Sequence, residues 1–371
     1  MTKTDHPYRS QPPKAFWKRT VSGVHPLDVE GWYSKKFSID KMRVATAGSC
    51  FAQHIGRNLR ARGFSVVDTE PAPEALSADR HLDYGYGMYS ARYGNVYTSR
   101  QLLQLFQRAL GQWKPAEPAW VKGDGVVDPF RPTIEPEPFG SVAEMEALRA
   151  SHLECVAEIL RKSDLFIFTM GLTETWLSKE DGAAFPLCPG TAGGTFSEDR
   201  HVFHNLSPGE IHRDMQEFIK LVRSVNPKMR FILTVSPVPL MATATNDNVA
   251  VATMYSKSAL RAAAGRLAGG MKFVDYFPSY EIISSPFMRG QFFNPDMREV
   301  SAHGVNHVMD IFFAEHAPLS ARNAARTAGA GTPGEPEASG KASGEPMSEE
   351  ERLERILCDE ELLAEFGEAK K

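Results

Sequence analysis

Two adjacent side chains capable of nucleophilic attack, Ser49 and Cys50, follow Gly48 in the stretch Arg43-Val44-Ala45-Thr46-Ala47-Gly48-Ser49-Cys50-Phe51-Ala52-Gln53-His54-Ile55-Gly56-Arg57-Asn58-Leu59. The residues before the glycine read as a short strand, and those after the cysteine as a helix with Ile55 and Leu59 on one face. Such a turn places a nucleophile at the mouth of a sheet, beside backbone N–H groups and the positive end of a helix dipole. The dipole favours a thiolate at Cys50, although a small buried cysteine would suit the same turn. His54, on that helix, is expected to face away from the site.

No cofactor or metal is expected. His201-x-x-His204 has the spacing of a ligand pair, but no third ligand stands near it. The four cysteines, Cys50, Cys155, Cys188 and Cys358, contain no CxxC pair. They fit neither a zinc site nor a disulfide framework and point to a reducing, cytoplasmic compartment. A net charge of −4, with no large block of like charge, argues against nucleic-acid binding. No run of roughly eighteen apolar residues occurs, so no membrane span is expected. The opening residues are basic but lack the apolar run of a secretory signal.

The elements that would position the turn follow from patterning. Residues 1–39, rich in proline and aromatics, read as an arm across a domain covering 40–318. Phe64-Ser65-Val66-Val67-Asp68 reads as a second strand. The Tyr/Gly-rich stretch from Tyr84 to Thr98 ends at Ser99, the expected N-cap of a helix that shows Leu102, Leu103, Leu105 and Phe106 to the core. Residues 113–140 read as an inserted hairpin or loop.

A long helix from about Ser141 to Lys162 feeds the apolar run Leu165–Met170, which has the pattern of a strand buried on both faces. Gly171-Leu172-Thr173-Glu174-Thr175-Trp176 then reads as a loop at that strand's carboxyl end, and 177–205 as a polar insertion. Ser207-Pro208-Gly209-Glu210 has capping-box spacing, starting a helix to about Val225. Strands over Arg230–Val235 and Lys272–Phe277 flank a helix over about Ala250–Leu267. The alternation implies a mostly parallel sheet covered on both faces, with ligands beyond the carboxyl ends of its strands. Residues 319–347 have the composition of a disordered linker. Residues 348–371 read as a short acidic helix with Leu353, Ile356, Leu357, Leu363 and Phe366 on one side, able to dock on a protein partner.

Gly48-Ser49-Cys50-Phe51-Ala52 is the signature of the GSCFA-domain family, which the chain resembles from about residue 40 to residue 315. Tyr93-Gly94-Asn95-Val96-Tyr97, the Gly171–Trp176 segment, Ser236-Pro237-Val238-Pro239 and the Asp296–Gly304 segment support the match in order. That family resembles the SGNH/GDSL hydrolases. The resemblance implies an α/β fold, a flavodoxin-like three-layer sandwich with a mostly parallel sheet, and ester chemistry on acyl groups, often on carbohydrate. Cys50 then takes the nucleophile's place, and a register one residue different gives it to Ser49. The glycine whose N–H helps hold the oxyanion falls on Gly94, with Asn95 beside it. The block that carries the oxyanion-holding Asn falls on Gly171-Leu172-Thr173-Glu174, with Thr173 in place of Asn. Where the hydrolases carry Asp-x-x-His, Asp296 fits the acid and Glu299 stands at the histidine position. His303 and His307, one helical turn apart, could each deliver an imidazole instead.

The expected function is therefore an acyl hydrolase or acyltransferase acting through an acyl-enzyme at Cys50 or Ser49. Its substrate would be a carbohydrate or small-molecule ester, and its base His303, His307 or Glu299. The lost Asn and displaced His support the alternative of a non-catalytic glycan- or acyl-binding protein that keeps the cleft.

Overall fold

The computed structural model describes residues 6–316 and 358–367. The chain runs through β1 (Val44–Gly48) into α1 (Phe51–Ala61), then α2 (Ser99–Ala109), the hairpin β2 (Trp120–Lys122) and β3 (Gly125–Val127), and α3 (Val142–Lys162). After β4 (Leu165–Met170) comes an antiparallel excursion of β5 (Glu174–Ser178), β6 (Ala184–Phe185) and β7 (His201–Asn205). Then follow α4 (Pro208–Val225), β8 (Arg230–Val235), α5 (Val249–Gly270), β9 (Val274–Phe277), α6 (Ser279–Ser284) and α7 (Ala302–His316).

The central sheet is parallel throughout, in the order β1-β4-β8-β9. Successive side chains of a strand point to opposite faces, and both faces here are covered. Phe166, Phe168, Met170, Phe231, Leu233 and Val235 pack in one cluster with the apolar faces of α2, α3, α4 and α5. Leu165, Ile167 and Ile232 face the other way, into a cluster with Phe51, Ile55 and Leu59 of α1, Ile282 and Ile283 of α6, and Val308 and Phe312 of α7. The result is a three-layer α/β/α sandwich, the expected fold. Each fully buried Phe or Leu contributes about 1.5–3 kcal/mol to holding the layers together.

Helix starts follow the capping chemistry. Ser207 accepts from the Glu210 N–H, the reciprocal Glu210 contact closes the box, and Pro208 opens α4. Ser141 caps α3, accepting from the N–H of Glu144. At α2 the cap is Thr98, one residue before the expected Ser99. Gln101 stands three residues after Thr98 and reaches back to its N–H at 2.9 Å, which completes a box that Ser99 cannot.

Two expected elements differ. Phe64–Asp68 is not a strand; Val66 makes a single parallel bridge to Val44 at the sheet edge. The Gly171–Trp176 loop is a loop only as far as Thr173, because Glu174 onward pairs antiparallel with β7. In the N-terminal arm, Tyr33 places its hydroxyl 2.8 Å from Asp275 Oδ2 and 3.0 Å from His316 Nε2. The expected linker, 319–347, and residues 348–357 of the expected terminal helix lie outside the described residues. Asp359–Phe366 forms a 3₁₀ turn. Among the described residues no helix is long and apolar enough to cross a membrane.

Candidate active site around Cys50

At the end of β1 the chain passes very close to β4. A Cβ on Gly48 would lie 2.4 Å from the Thr169 carbonyl oxygen, and its φ of +147° also favours glycine. Ser49 donates its N–H to that same oxygen at 3.1 Å, and Cys50 becomes the N-cap of α1. The two nucleophile candidates then part. Ser49 packs against Gly171, where an added Cβ would meet its own at 2.8 Å, and its buried hydroxyl has no hydrogen-bond partner among the described residues. Cys50, 4 % exposed, borders a cavity of about 340 Å³ together with His54, Arg298, Glu299 and Cys358. This geometry favours Cys50 as the group that can meet a ligand.

Beside it, Gly94 takes a left-handed φ of +68°, and Asn95 after it borders an adjoining cavity with Cys358 and Asp359. The Asn95 amide is oriented from behind: the Tyr89 hydroxyl stands 2.6 Å from Oδ1, and Gln53 Nε2 donates to the same atom at 3.4 Å. With Oδ1 occupied, Nδ2 is the donor left to face outward. It donates at 2.8 Å to a carboxylate oxygen of Asp359.

That partner belongs to the chain's own C-terminal segment, which fills the cleft. Cys358 is buried and its thiol is hydrogen-bonded with that of Cys50. Asp359 also accepts from Thr133 Oγ1 at 2.6 Å. Glu360, 5 % exposed, stands 3.4 Å from Arg298 Nη2 and accepts from the backbone N–H of Met241. Arg298 Nη2 also lies 3.6 Å from Cys358 Sγ. Beneath them Lys257, fully buried on α5, donates to the Gly171 carbonyl oxygen at 2.8 Å.

The charges of this cluster set its protonation. The hydrogen bond with Cys358 and burial push the Cys50 thiol well up, while Arg298 pulls against them. Cys358 is drawn down by the hydrogen bond from Cys50 and by the Arg298 guanidinium, so the shared proton rests on Cys50. Burial brings Lys257 down to about 8. Burial raises the Glu360 carboxyl against the pull of Arg298 and Lys257, and raises that of Asp359 as well.

The GSCFA family model matches residues 43–312. The chain belongs to the GSCFA family. No curated protein matches it. The GSCFA residues themselves, Gly48 to Ala52, make the turn that presents Cys50. The matched span contains the cleft and ends before the segment that fills it.

The other GSCFA-domain residues expected at the site divide into those brought to it and those used elsewhere. Glu299 reaches the Cys50 cavity from an exposed position, with Asn294 Nδ2 donating to it at 3.0 Å. Asp296 does not orient an imidazole, because its carboxylate is folded back onto the N–H groups of Arg298 and Glu299. Neither His303 nor His307 borders the cavity with Cys50. They start α7, where His307 stacks on Phe292 at 5.0 Å and His303 tilts against the same ring at 5.5 Å. Thr173 is no oxyanion donor, since its hydroxyl is given to Asn205 Oδ1 at 2.6 Å. Glu174 accepts from Thr243 Oγ1 at 2.6 Å and borders a neighbouring cavity with Leu363. His54 faces the Cys50 cavity rather than away from it, and burial lowers its pKa to about 4.

His201 and His204, three apart on β7, point to opposite faces and pair with different carboxylates, Glu117 at 3.0 Å and Glu210 at 2.8 Å. Sequence reasoning missed Arg298 and Lys257, and it gave the acidic segment a protein partner rather than the chain's own cleft. Lys257 left one signal: it interrupts the stripe Ala252, Ser256, Leu260, Ala263, Leu267 that α5 buries.

Proposed function

We propose that this GSCFA protein is an SGNH-like acyl hydrolase or acyltransferase that works on a carbohydrate or small-molecule ester in the cytoplasm through a covalent thioester. The observation that carries the reading is the placing of Cys50, at the carboxyl edge of a parallel sheet, at the head of a helix, and in a cavity with Arg298. With Cys358 and Glu360 gone from beside it, two of the influences that hold the proton on Cys50 are removed, and the helix dipole and Arg298 favour the thiolate without an imidazole.

The Cys50 thiolate attacks the ester carbonyl carbon. The carbonyl electron pair moves to oxygen, where Asn95 Nδ2 takes the part of oxyanion donor beside the N-terminus of α1. Collapse breaks the C–O bond, and the leaving oxygen takes a proton from the Glu299 carboxyl and departs as the alcohol. Water or an acceptor hydroxyl then attacks the thioester, passing its proton to Glu299, and the C–S bond breaks to restore the thiolate. The segment at Cys358–Glu360 must leave before a substrate enters.

The test is turnover of p-nitrophenyl acetate by Cys50→Ala and Ser49→Ala, each in the wild-type chain and in a chain whose segment is loosened by Asp359→Asn and Glu360→Gln. Loss in the cysteine variant with retention in the serine variant supports the reading. Absence of turnover in the loosened chain, or equal turnover in both variants, rejects it. The alternative, a non-catalytic glycan- or acyl-binding protein, is favoured by the packing of His303 and His307 on Phe292. It requires Cys50 in the loosened chain to react with iodoacetamide no faster than free cysteine at neutral pH.

A further inference from the structure

We infer that the cleft beside Cys50 is a carboxylate-binding site built on Arg298 and Lys257, and that Glu360 occupies it in place of a substrate ester that carries its own carboxylate. The ester part of this inference rests on the function proposed above; the binding site does not.

A carboxylate is buried in a protein only against compensating groups. Glu360 finds three: Arg298, the Met241 N–H and the field of Lys257. The fit is nevertheless loose. Arg298 divides one nitrogen, Nη2, between Glu360 at 3.4 Å and Cys358 at 3.6 Å, while its buried Nε has no hydrogen-bond partner among the described residues. A carboxylate that meets a guanidinium squarely makes two parallel bonds of about 2.7–2.9 Å. Glu360, fixed between Asp359 on Asn95 and the chain beyond it, meets one nitrogen of the Nε–Nη2 edge and leaves the other unmet among the described residues. A free carboxylate can take both.

The charge balance argues the same way. Lys257 is fully buried and donates to a neutral carbonyl, that of Gly171. When Cys358–Glu360 leaves, Arg298 remains in the cleft with Lys257 buried beneath it, and the anions that faced them are gone. Uncompensated buried charge is costly, so an incoming ligand that brings a carboxylate replaces what the segment supplied, and a neutral ester does not. The carboxylate can lie on the acyl group, as in a dicarboxylic half-ester, or on the alcohol, as in an acylated uronic acid.

The experiment follows alkylation of Cys50 by iodoacetamide, mapped by peptide mass, in the full chain carrying Asp359→Asn and Glu360→Gln. Cys50 should alkylate at least about tenfold faster there than in the wild type. Succinate probes the acyl side and glucuronate the alcohol side, with succinamide and glucose as neutral counterparts. At least one of the two carboxylates should slow alkylation severalfold more than its counterpart, and the one that does names the side. Adding Arg298→Gln should abolish the difference. Adding Arg298→Lys, which keeps charge but not the fork, should weaken it at least about threefold. No acceleration in the loosened chain, equal slowing by neutral compounds, or unchanged protection in either folded arginine variant overturns the inference. Because protection is read without turnover, a chain that cleaves no ester but passes this test loses the proposed chemistry and keeps the site.

Discussion

Asn95 donates from Nδ2 to the carboxylate of Asp359 at 2.8 Å across 264 residues of sequence. The same nitrogen is the donor assigned to the oxyanion, so the segment and a transition state compete for one group. In the loosened chain, Asn95→Ala should lower kcat for p-nitrophenyl acetate by about 10²–10³ with little change in KM, the usual cost of one oxyanion donor. In the wild-type background the same substitution should speed Cys50 alkylation, because the segment loses a charge-assisted hydrogen bond.

The thiol pair predicts two pH profiles. In the wild type, Cys358 should alkylate with a midpoint below that of an ordinary thiol and Cys50 with one above it, since the hydrogen bond between them and Arg298 favour the thiolate at Cys358. Cys358→Ser removes that thiolate and leaves Arg298 in place. The Cys50 midpoint should then fall, and an unchanged midpoint would show that Cys358 does not hold it.

Lys257 predicts an alkaline stability change. Its folded pKa, about 8, lies below the 10.5 of a free lysine. Between these values the unfolded chain binds more protons than the folded one, so this group makes stability rise with pH through that window and contributes no slope below it. Lys257→Met should flatten the rise, measured by urea unfolding at pH 7.5, 9 and 10.5.

Asp128 is a structural counterpart outside the lining of the Cys50 cavity. Burial alone would raise its carboxyl, but Arg149, Arg131 and Arg108 hold it well below the usual range. Arg149 and Arg131 lie at 3.1 and 3.2 Å from Oδ2. Asp128→Asn should cost about 3–5 kcal/mol in chemical denaturation, because buried guanidiniums lose their anion. The folded pKa is depressed, so the stability due to Asp128 is fully present above the ordinary carboxylate pKa and is lost as pH falls below about 4.

His303 and His307 supply a negative control. Both pack on Phe292 and neither borders the Cys50 cavity. His303→Ala and His307→Gln should leave ester turnover in the loosened chain within about twofold, as substitutions away from the chemistry do. A hundredfold loss in either would restore an imidazole to the mechanism.

The parallel sheet was legible because its strands are continuous apolar runs, and α3 and α4 because Ser141 and Ser207 announce their starts. The site was legible where backbone dictates it: Gly48 must be glycine to pass Thr169, and Gly94 must turn left to aim Asn95. It was not legible where long side chains converge. Arg298 carries no local signal between Asp296 and Glu299, since nothing in the sequence says that its guanidinium crosses to Cys358. Phe64–Asp68 failed as a strand because its outer edge has no partner among the described residues, and propensity without a neighbour yields one bridge. The histidines misled because helical spacing shows which residues share a face and not what that face meets.

The segment that fills the cleft is covalently part of the molecule it fills. Its hold on Cys50 is therefore a ratio of two states of one chain, insensitive to how much protein is present. Dilution will not free the thiol. Each molecule carries one competitor at a fixed local concentration, so the ligand level needed to open half the molecules is the same at nanomolar and at micromolar protein.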